Sequence, residues 1–117
     1  MKKSLTTPLN TKLLFGHRLR ERRLSLELSQ ESLGVSIGLD ESCSKTRISR
    51  YESGQHEPKI ATTQLLATCL KVPLAYLYCE KDEIAELLMK TEQMTEEQIR
   101  LLNKYATDLL RRPPPNT

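Results

Sequence analysis

Residues 28–58 read LSQESLGVSIGLDESCSKTRISRYESGQHEP, and this stretch predicts two short helices joined by a polar connection. Ser29 is placed to cap the first helix, and Gly38 suits the left-handed turn that ends it. Ser44 is the expected cap of the second helix, which runs over residues 45–53. Gly54 then ends that helix, and a loop follows.

The composition of the whole chain favours helices over strands. Its 117 residues include 21 leucines but only 7 valines and isoleucines together, with one Phe and no Trp. Residues that favour strands are thus too scarce for a sheet. Helical spacing of apolar residues predicts three further helices that complete a five-helix unit, and two more helices C-terminal to it. We therefore expect an all-α fold.

The pattern divides the chain into four segments. Residues 1–10 lack apolar periodicity and are expected to form a flexible arm, and residues 11–79 form the five-helix unit. Residues 80–112 hold the two further helices, the second of which opens on a capping box at Thr95 and is stopped by prolines. Residues 113–117 are expected to be a disordered tail.

Several classes of protein are excluded by what the sequence lacks. No apolar run approaches the roughly 18 residues that cross a bilayer, and the opening Met-Lys-Lys is followed by polar residues instead of a signal-peptide core. Cys43, Cys69 and Cys79 are odd in number and widely spaced, which argues against disulfides and zinc. No catalytic set or phosphate-binding glycine loop is recognisable. We expect a cytoplasmic protein without enzymatic activity, cofactor or metal.

Positive charge is concentrated in the N-terminal half. Residues 1–59 carry 11 Lys and Arg against 7 Asp and Glu, a balance of +4, whereas residues 60–117 carry 7 against 8, a balance of −1. This asymmetry suits a surface that faces a polyanion, although solvated charge on helices would give the same counts.

Five residues of the quoted stretch occur in the same order as the characteristic residues of a known family. They are Leu33, Gly38, Ile48, Glu52 and Gly54. On these residues the chain, from about position 15 to 78, resembles the XRE family of helix-turn-helix DNA-binding domains, which includes the phage Cro proteins and phage repressors. The resemblance implies a five-helix domain whose third helix lies in the major groove of B-DNA.

The outer face of the 45–53 helix is the expected reading surface. On a helical wheel centred on Ile48, the side chains of Tyr51 and Glu52 face the core, whereas four polar ones point away: Thr46, Ser49, Arg50 and Ser53. By the resemblance, base contacts fall to Ser44, Lys45, Thr46 and Arg50. Arg50 is the leading candidate because its guanidinium can bind O6 and N7 of guanine together. Lys45 can instead bind a phosphate, and ordinary solvated charge is the alternative for both.

A second set of residues is expected to bind the DNA backbone. Gln30 begins a helix, where its side chain and nearby N–H groups can hold a phosphate oxygen, as the family's Gln does, or can simply cap the helix. The further phosphate candidates are Arg47, Ser53 and Gln55. Such contacts position a protein on DNA without reading its sequence.

An ion pair is expected beneath the reading helix. Glu52 faces inward, and a buried carboxylate needs a cationic partner. The family often places an Arg seven residues before the Gln, where it pairs with this Glu, and Arg23 stands at that spacing from Gln30. The expected role of the pair is to orient the reading helix.

The connection between the two quoted helices departs from the family. Gln30 to Ile48 spans 18 positions where the family spans about 15, so roughly three extra residues are expected to loosen the turn over residues 40–44. Asp40 and Glu41 bring negative charge there. Cys43 would be a redox switch if it were exposed, although a small apolar role is the simpler reading.

The last predicted helix has an apolar face that suits an interface. Its members lie within about 100° of one another on a helical wheel: Ile99, Leu102, Ala106, Leu109 and Leu110. Leu101 and Tyr105 lie on another side. We expect a homodimer through this helix, and packing onto the helix's own domain is the alternative.

These features together predict a sequence-specific regulator of transcription that binds double-stranded DNA. The expected form is a repressor that binds an inverted-repeat operator as a homodimer, with the 45–53 helix in the major groove. The alternative is an antitoxin or another interaction module whose C-terminal helices bind a partner protein. No membrane partner is expected.

Overall fold

The computed structural model describes residues 10–113, which contain six α-helices, one 3-10 helix and no strand. This confirms the all-α fold. The α-helices are α1 (Thr11–Ser25), α2 (Gln30–Ser36), α3 (Glu41–Glu52), α4 (Ile60–Leu70), α5 (Asp82–Thr91) and α6 (Glu96–Arg111), and the 3-10 helix spans Leu74–Tyr78 between α4 and α5. The predicted N-terminal arm, apart from Asn10, and the predicted tail, apart from Pro113, lie outside the described residues.

Local capping chemistry sets the ends of several helices. The hydroxyl of Ser29 accepts a hydrogen bond from the N–H of Ser32 at 2.9 Å and so caps α2. Thr95 and Gln98 form the predicted capping box at the start of α6. Gly38 has a φ of +97°, which confirms the left-handed residue predicted after α2.

The start of α3 differs from the prediction. Asp40 caps this helix by accepting from the N–H of Ser42 at 3.3 Å, so α3 begins at Glu41 and not at Lys45. No Gly or Pro interrupts the following residues, and the extra residues therefore add about one turn to the helix instead of loosening the connection. The connection between α2 and α3 is the four residues 37–40.

Ser44 consequently lies inside α3 and does not cap it. Its side chain is fully buried, and its hydroxyl donates to the carbonyl oxygen of Glu31 at 2.6 Å. The approach is close because Gly34 faces Ser44, and a Cβ on Gly34 would overlap the Ser44 hydroxyl. This contact joins α2 to α3 through a bond between distant residues.

The core lies among α1, α2, α3, α4 and the 3-10 helix. Its largest fully buried apolar side chains are Phe15, Leu19, Leu33, Ile48, Leu66, Leu70, Tyr76 and Leu77. Ile60 and Leu65 of α4 are 59% and 50% exposed. α4 instead buries positions 63, 66, 67 and 70, a stripe that cannot also include position 65 because successive residues are rotated by about 100°.

The two C-terminal helices contribute little to this core. Ala85 is the one buried residue of α5, and no residue of α6 is buried within this described part of the chain. The longest dimension of the described structure is 56 Å. Residues 10–113 contain no helix with the length and apolar character needed to span a bilayer.

Gly16 allows α1 to cross directly over the end of α3. A Cβ at this position would stand 2.7 Å from the carbonyl oxygen of Tyr51 and closer still to that of Glu52. In an unconstrained helix, alanine is favoured over glycine by about 1 kcal/mol. Overpacking against fixed backbone costs about 1–3 kcal/mol or more, so at this site the contact outweighs the propensity.

We therefore expect Gly16→Ala to lower the free energy of unfolding by about 2 kcal/mol in urea titration. The matched control is His17→Ala in the same helix turn, because the His17 side chain is 63% exposed and should leave stability nearly unchanged. A Gly16→Ala variant that is more stable than the wild type would show that α1 and α3 are not in close contact at Gly16.

Candidate nucleic-acid interface

The outer face of α3 is polar and open to solvent. Ile48 and Tyr51 face the core, with 0% and 6% exposure. The exposed side chains on the other side are Ser42, Lys45, Thr46, Arg47, Ser49, Arg50 and Ser53. α3 thus combines one anchored face with one face that is free to contact a ligand.

The free face has a centre and two flanks. Successive residues of an α-helix are rotated by about 100°, so Lys45 and Arg47 lie on opposite sides of Thr46, and Arg50 follows about one turn later on nearly the same line as Thr46. Lys45 lines a shallow groove together with Arg20 and Gln30. This arrangement puts Thr46 and Arg50 in the middle and a cation on each flank.

Ser44 does not belong to this face, and its assignment as a base-contact residue is wrong. The longer α3 turns the side chain inward, where its hydroxyl bonds to Glu31. The same shift brings Ser42 onto the exposed side of α3, a position that the sequence reasoning missed. The available signal was Asp40 followed by Glu41, which is a typical cap and acidic first turn.

The end of α3 is held from beneath by a buried cluster of polar side chains. The Arg23 guanidinium donates to both carboxylate oxygens of Glu52, from Nε at 2.5 Å and from Nη2 at 3.0 Å. The Arg23 and Glu52 side chains are only 7% and 4% exposed. Arg23 Nη1 also donates to the carbonyl oxygen of Leu28 at 2.8 Å. This pair joins α1 to both the start of α2 and the end of α3.

Gln30 belongs to the same cluster. Its side-chain amide donates to Glu52 Oε1 at 3.0 Å, and Arg20 Nη1 lies 3.9 Å from the same oxygen. The amide keeps one N–H and its oxygen for other partners. Gln30 is partly exposed in the groove with Arg20, so a side chain that helps to hold Glu52 also reaches the surface. Arg20 is a further cation at this surface that the sequence reasoning did not single out.

The other predicted phosphate contacts lie at the end and flank of α3. Arg47 is exposed on one flank. The hydroxyl of Ser53 donates to the carbonyl oxygen of Arg50 at 3.2 Å and accepts from the N–H of Gln55 at 3.4 Å. The structure thus brings Ser53 and Gln55 together just after the helix, and both are exposed.

Two carboxylates stand at the start of α3. Asp40 and Glu41 are both exposed. Hydrogen bonds from the hydroxyl and the backbone N–H of Ser42 hold the pKa of Asp40 below its ordinary value. Asp40 therefore stays charged at neutral pH, and this end of α3 is negative while its middle and flanks carry cations.

Other kinds of site find little support. Among residues 10–113 no group of His, Cys, Asp and Glu could hold a metal ion. The three cysteines are free and partly buried, and the Cys43 thiol donates to the carbonyl oxygen of Asp40 at 3.5 Å. The surface with the clearest chemical character is therefore the outer face of α3 with the groove beside it.

Comparisons with known proteins agree with this geometry. The Helix-turn-helix family profile matches residues 19–77, which run from within α1 to the 3-10 helix. The cryptic phage CTXphi transcriptional repressor RstR of Vibrio cholerae is 31% identical over 79 residues, which cover 68% of each chain. The crystal structure of the transcriptional regulator BswR is 40% identical with a TM-score of 0.75, over 81% of this chain and 94% of that one.

The ion pair generates a stability prediction. Removing one member of a buried pair leaves the other charge uncompensated and costs about 3–5 kcal/mol. Because Gln30 and Arg20 remain near Glu52, we expect Arg23→Met to lower the free energy of unfolding by about 3 kcal/mol, measured in urea. Arg20→Met, which removes a 60% exposed side chain, should cost less than about 1 kcal/mol. Equal losses of unfolding free energy in the two variants would contradict the assignment of Arg23 as the main partner of Glu52.

Proposed function

The chain belongs to the Helix-turn-helix family, and on that premise we propose that this DNA-binding transcriptional regulator is a repressor that binds an inverted-repeat operator as a homodimer. The observation that carries the proposal is the exposed polar face of α3, anchored at its far end by Arg23 and Glu52. An α-helix held in this way fits the major groove of B-DNA.

Base reading is assigned to the middle of the exposed face. Arg50 offers a planar fork that matches O6 and N7 of guanine, and Thr46 offers a methyl group for thymine. Lys45 reaches either a base edge or a phosphate from its flank. A good bidentate contact discriminates between bases by about 1–3 kcal/mol, so Arg50 is expected to contribute most to specificity.

Contact with the DNA backbone is assigned to the surrounding polar groups, which are Gln30, Arg47, Ser53 and Gln55. Their spread around α3 suits a groove whose walls are phosphates on both sides. Gln30 links the two functions, since its amide bonds to Glu52 and faces the groove with Arg20. Binding of a phosphate there would act on the same cluster that orients α3.

Dimerisation is assigned to α6. None of its residues is buried, and the predicted apolar face carries Ile99, Leu102, Ala106, Leu109 and Leu110, with Leu101 and Tyr105 on the side next to it. Leu101, Tyr105 and Leu109 are each about half exposed, at 57%, 53% and 47%. An apolar face of this kind on a helix whose residues are at most partly buried marks an interaction surface.

The apolar face of α6 is assigned to contact with a second copy of this chain, because the proposed function requires a dimer. One recognition helix reads only a few base pairs, and a two-fold dimer doubles the number of bases that are read. Repression is supported by the similarity to a phage repressor. A dimer on an inverted repeat occludes a promoter without any further activity.

The assignment of Arg50 is tested by Arg50→Ala in full-length protein on labelled duplexes. We expect the loss of affinity to be confined to operators that carry the preferred base at one position of each half-site, with about a tenfold loss of discrimination there. Operators are first selected from random DNA. An equal loss on selected and random DNA would assign Arg50 to the backbone.

Gln30→Ala provides the contrast in the same assay. Loss of a phosphate contact should weaken binding to all sequences alike, and the salt dependence of binding should stay nearly unchanged because the Gln30 amide carries no charge. A loss confined to one base pair would contradict the phosphate assignment of Gln30.

The dimer is tested by Leu109→Lys, measured by light scattering. Leu109 is already 47% exposed, so the variant should fold normally while the buried charge prevents association and the protein becomes monomeric. Thr107→Lys adds the same charge to the polar side of α6 and should stay dimeric. Removal of residues 95–117 should also give monomers, and a truncated protein that remains dimeric would rule out this interface.

A further inference from the structure

A buried arginine joins α1 to the start of α5. The Arg18 side chain is only 3% exposed. Its Nε donates to the carbonyl oxygen of Cys79 at 2.9 Å, and its Nη2 lies 3.0 Å from Asp82 Oδ1. Its Nη1 lies 3.5 Å from Glu21, and its guanidinium carbon stands 5.8 Å from the centre of the Tyr76 ring. One side chain thus holds both ends of the segment that leads into α5.

The first turn of α5 has few other fixed contacts. The helix begins without a side-chain cap, and Ala85 is its one buried residue. A shallow cavity beside it, lined by Arg22, Tyr76 and Met89 among others, leaves space between α1 and α5. Ala85 and the partly buried Leu88 and Met89 hold α5 against the core along its length, and the contact of Asp82 with Arg18 supplies a polar fixed point at its first residue.

A buried guanidinium is not needed to fill space at this position. Apolar side chains of similar size usually serve the core as well as or better than a buried charge, because the charge must be desolvated. Asp82 is 90% exposed, so it has water as an alternative partner. The guanidinium instead fixes an orientation. Because it is planar, it donates at fixed angles both to Cys79 and to Asp82, the first residue of α5.

We propose that Arg18 and Asp82 form a clamp that fixes α5, and with it α6, relative to α3, and that this clamp sets the spacing between half-sites that the dimer accepts. The proposal rests on the homodimer proposed above. Arg18 is a positioning residue in this scheme and does not contact DNA. The clamp acts through α5 because only residues 92–95 separate it from α6.

The spacing between half-sites that a dimer accepts is sensitive to the angle at which α6 leaves α5. α6 has 16 residues and is about 24 Å long. A rotation of roughly 10° at its base moves the far end by about 4 Å, which exceeds the rise of about 3.4 Å per base pair. A loosened clamp would therefore let two recognition helices reach half-sites at more than one separation.

The test uses full-length Asp82→Asn and a set of duplexes in which two selected half-sites are separated by the best spacing or by one or two base pairs more or less. We expect the wild type to prefer one spacing. The variant should lose about two- to fivefold of that preference, the range expected for a largely exposed ion pair, while remaining dimeric and keeping its affinity for a single half-site. Asp82→Glu should restore the preference.

The matched control is Glu83→Gln. Glu83 lies in the same first turn of α5 and is exposed, so this variant loses the same charge near the helix N-terminus without touching Arg18. It should keep the wild-type spacing profile. A dimeric Asp82→Asn with the wild-type profile would overturn the clamp and leave the homodimer standing. A wild type that is monomeric in light scattering would overturn both.

Discussion

The bidentate contact between Arg23 and Glu52 is the interaction on which the reading surface depends. It lies beneath the end of α3, joins three helices and is almost closed to water. Gly16 permits it, because only a residue without a Cβ lets α1 approach the last residues of α3. The role of the pair is therefore to orient the end of α3, while the bond from Ser44 to Glu31 fixes its first turns.

The sequence predicts the ends of helices wherever a single residue determines the local backbone conformation. Ser29, Gly38 and Thr95 each act on their own neighbours, and the structure places them as predicted. The start of α3 was misread because Asp40 and Ser44 are both good caps. The choice between them depends on the bond from Ser44 to Glu31 across Gly34, which is a contact between helices. Asp40 followed by Glu41 is the local signal for the longer helix, but only the contact between helices decides between the two caps.

The arginines of α1 also show that contacts between helices cannot be predicted from a local pattern. In sequence, Arg18, Arg20, Arg22 and Arg23 form one basic stretch, but Arg18 and Arg23 are buried at 2% and 6% exposure. Spacing together with the family resemblance pointed to the pairing of Arg23 with Glu52. Nothing in the sequence marked Arg18, because Cys79 and Asp82, which hold its guanidinium from the other side, lie some sixty positions away. A run of like charges therefore hid two buried groups, and a third, Arg22, whose Nε donates to the carbonyl oxygen of Leu70 at 2.8 Å.

The negative start of α3 bears on how a regulator finds its operator within a long genome. Encounters with unrelated DNA are driven by phosphate attraction alone, and they are far more numerous than encounters with the correct site. In the proposed docking of α3, Asp40 and Glu41 would oppose that attraction at the start of the helix. Repulsion between these carboxylates and phosphates weakens complexes that are held by phosphate attraction alone, so on the proposed docking of α3 stable binding requires base contacts as well.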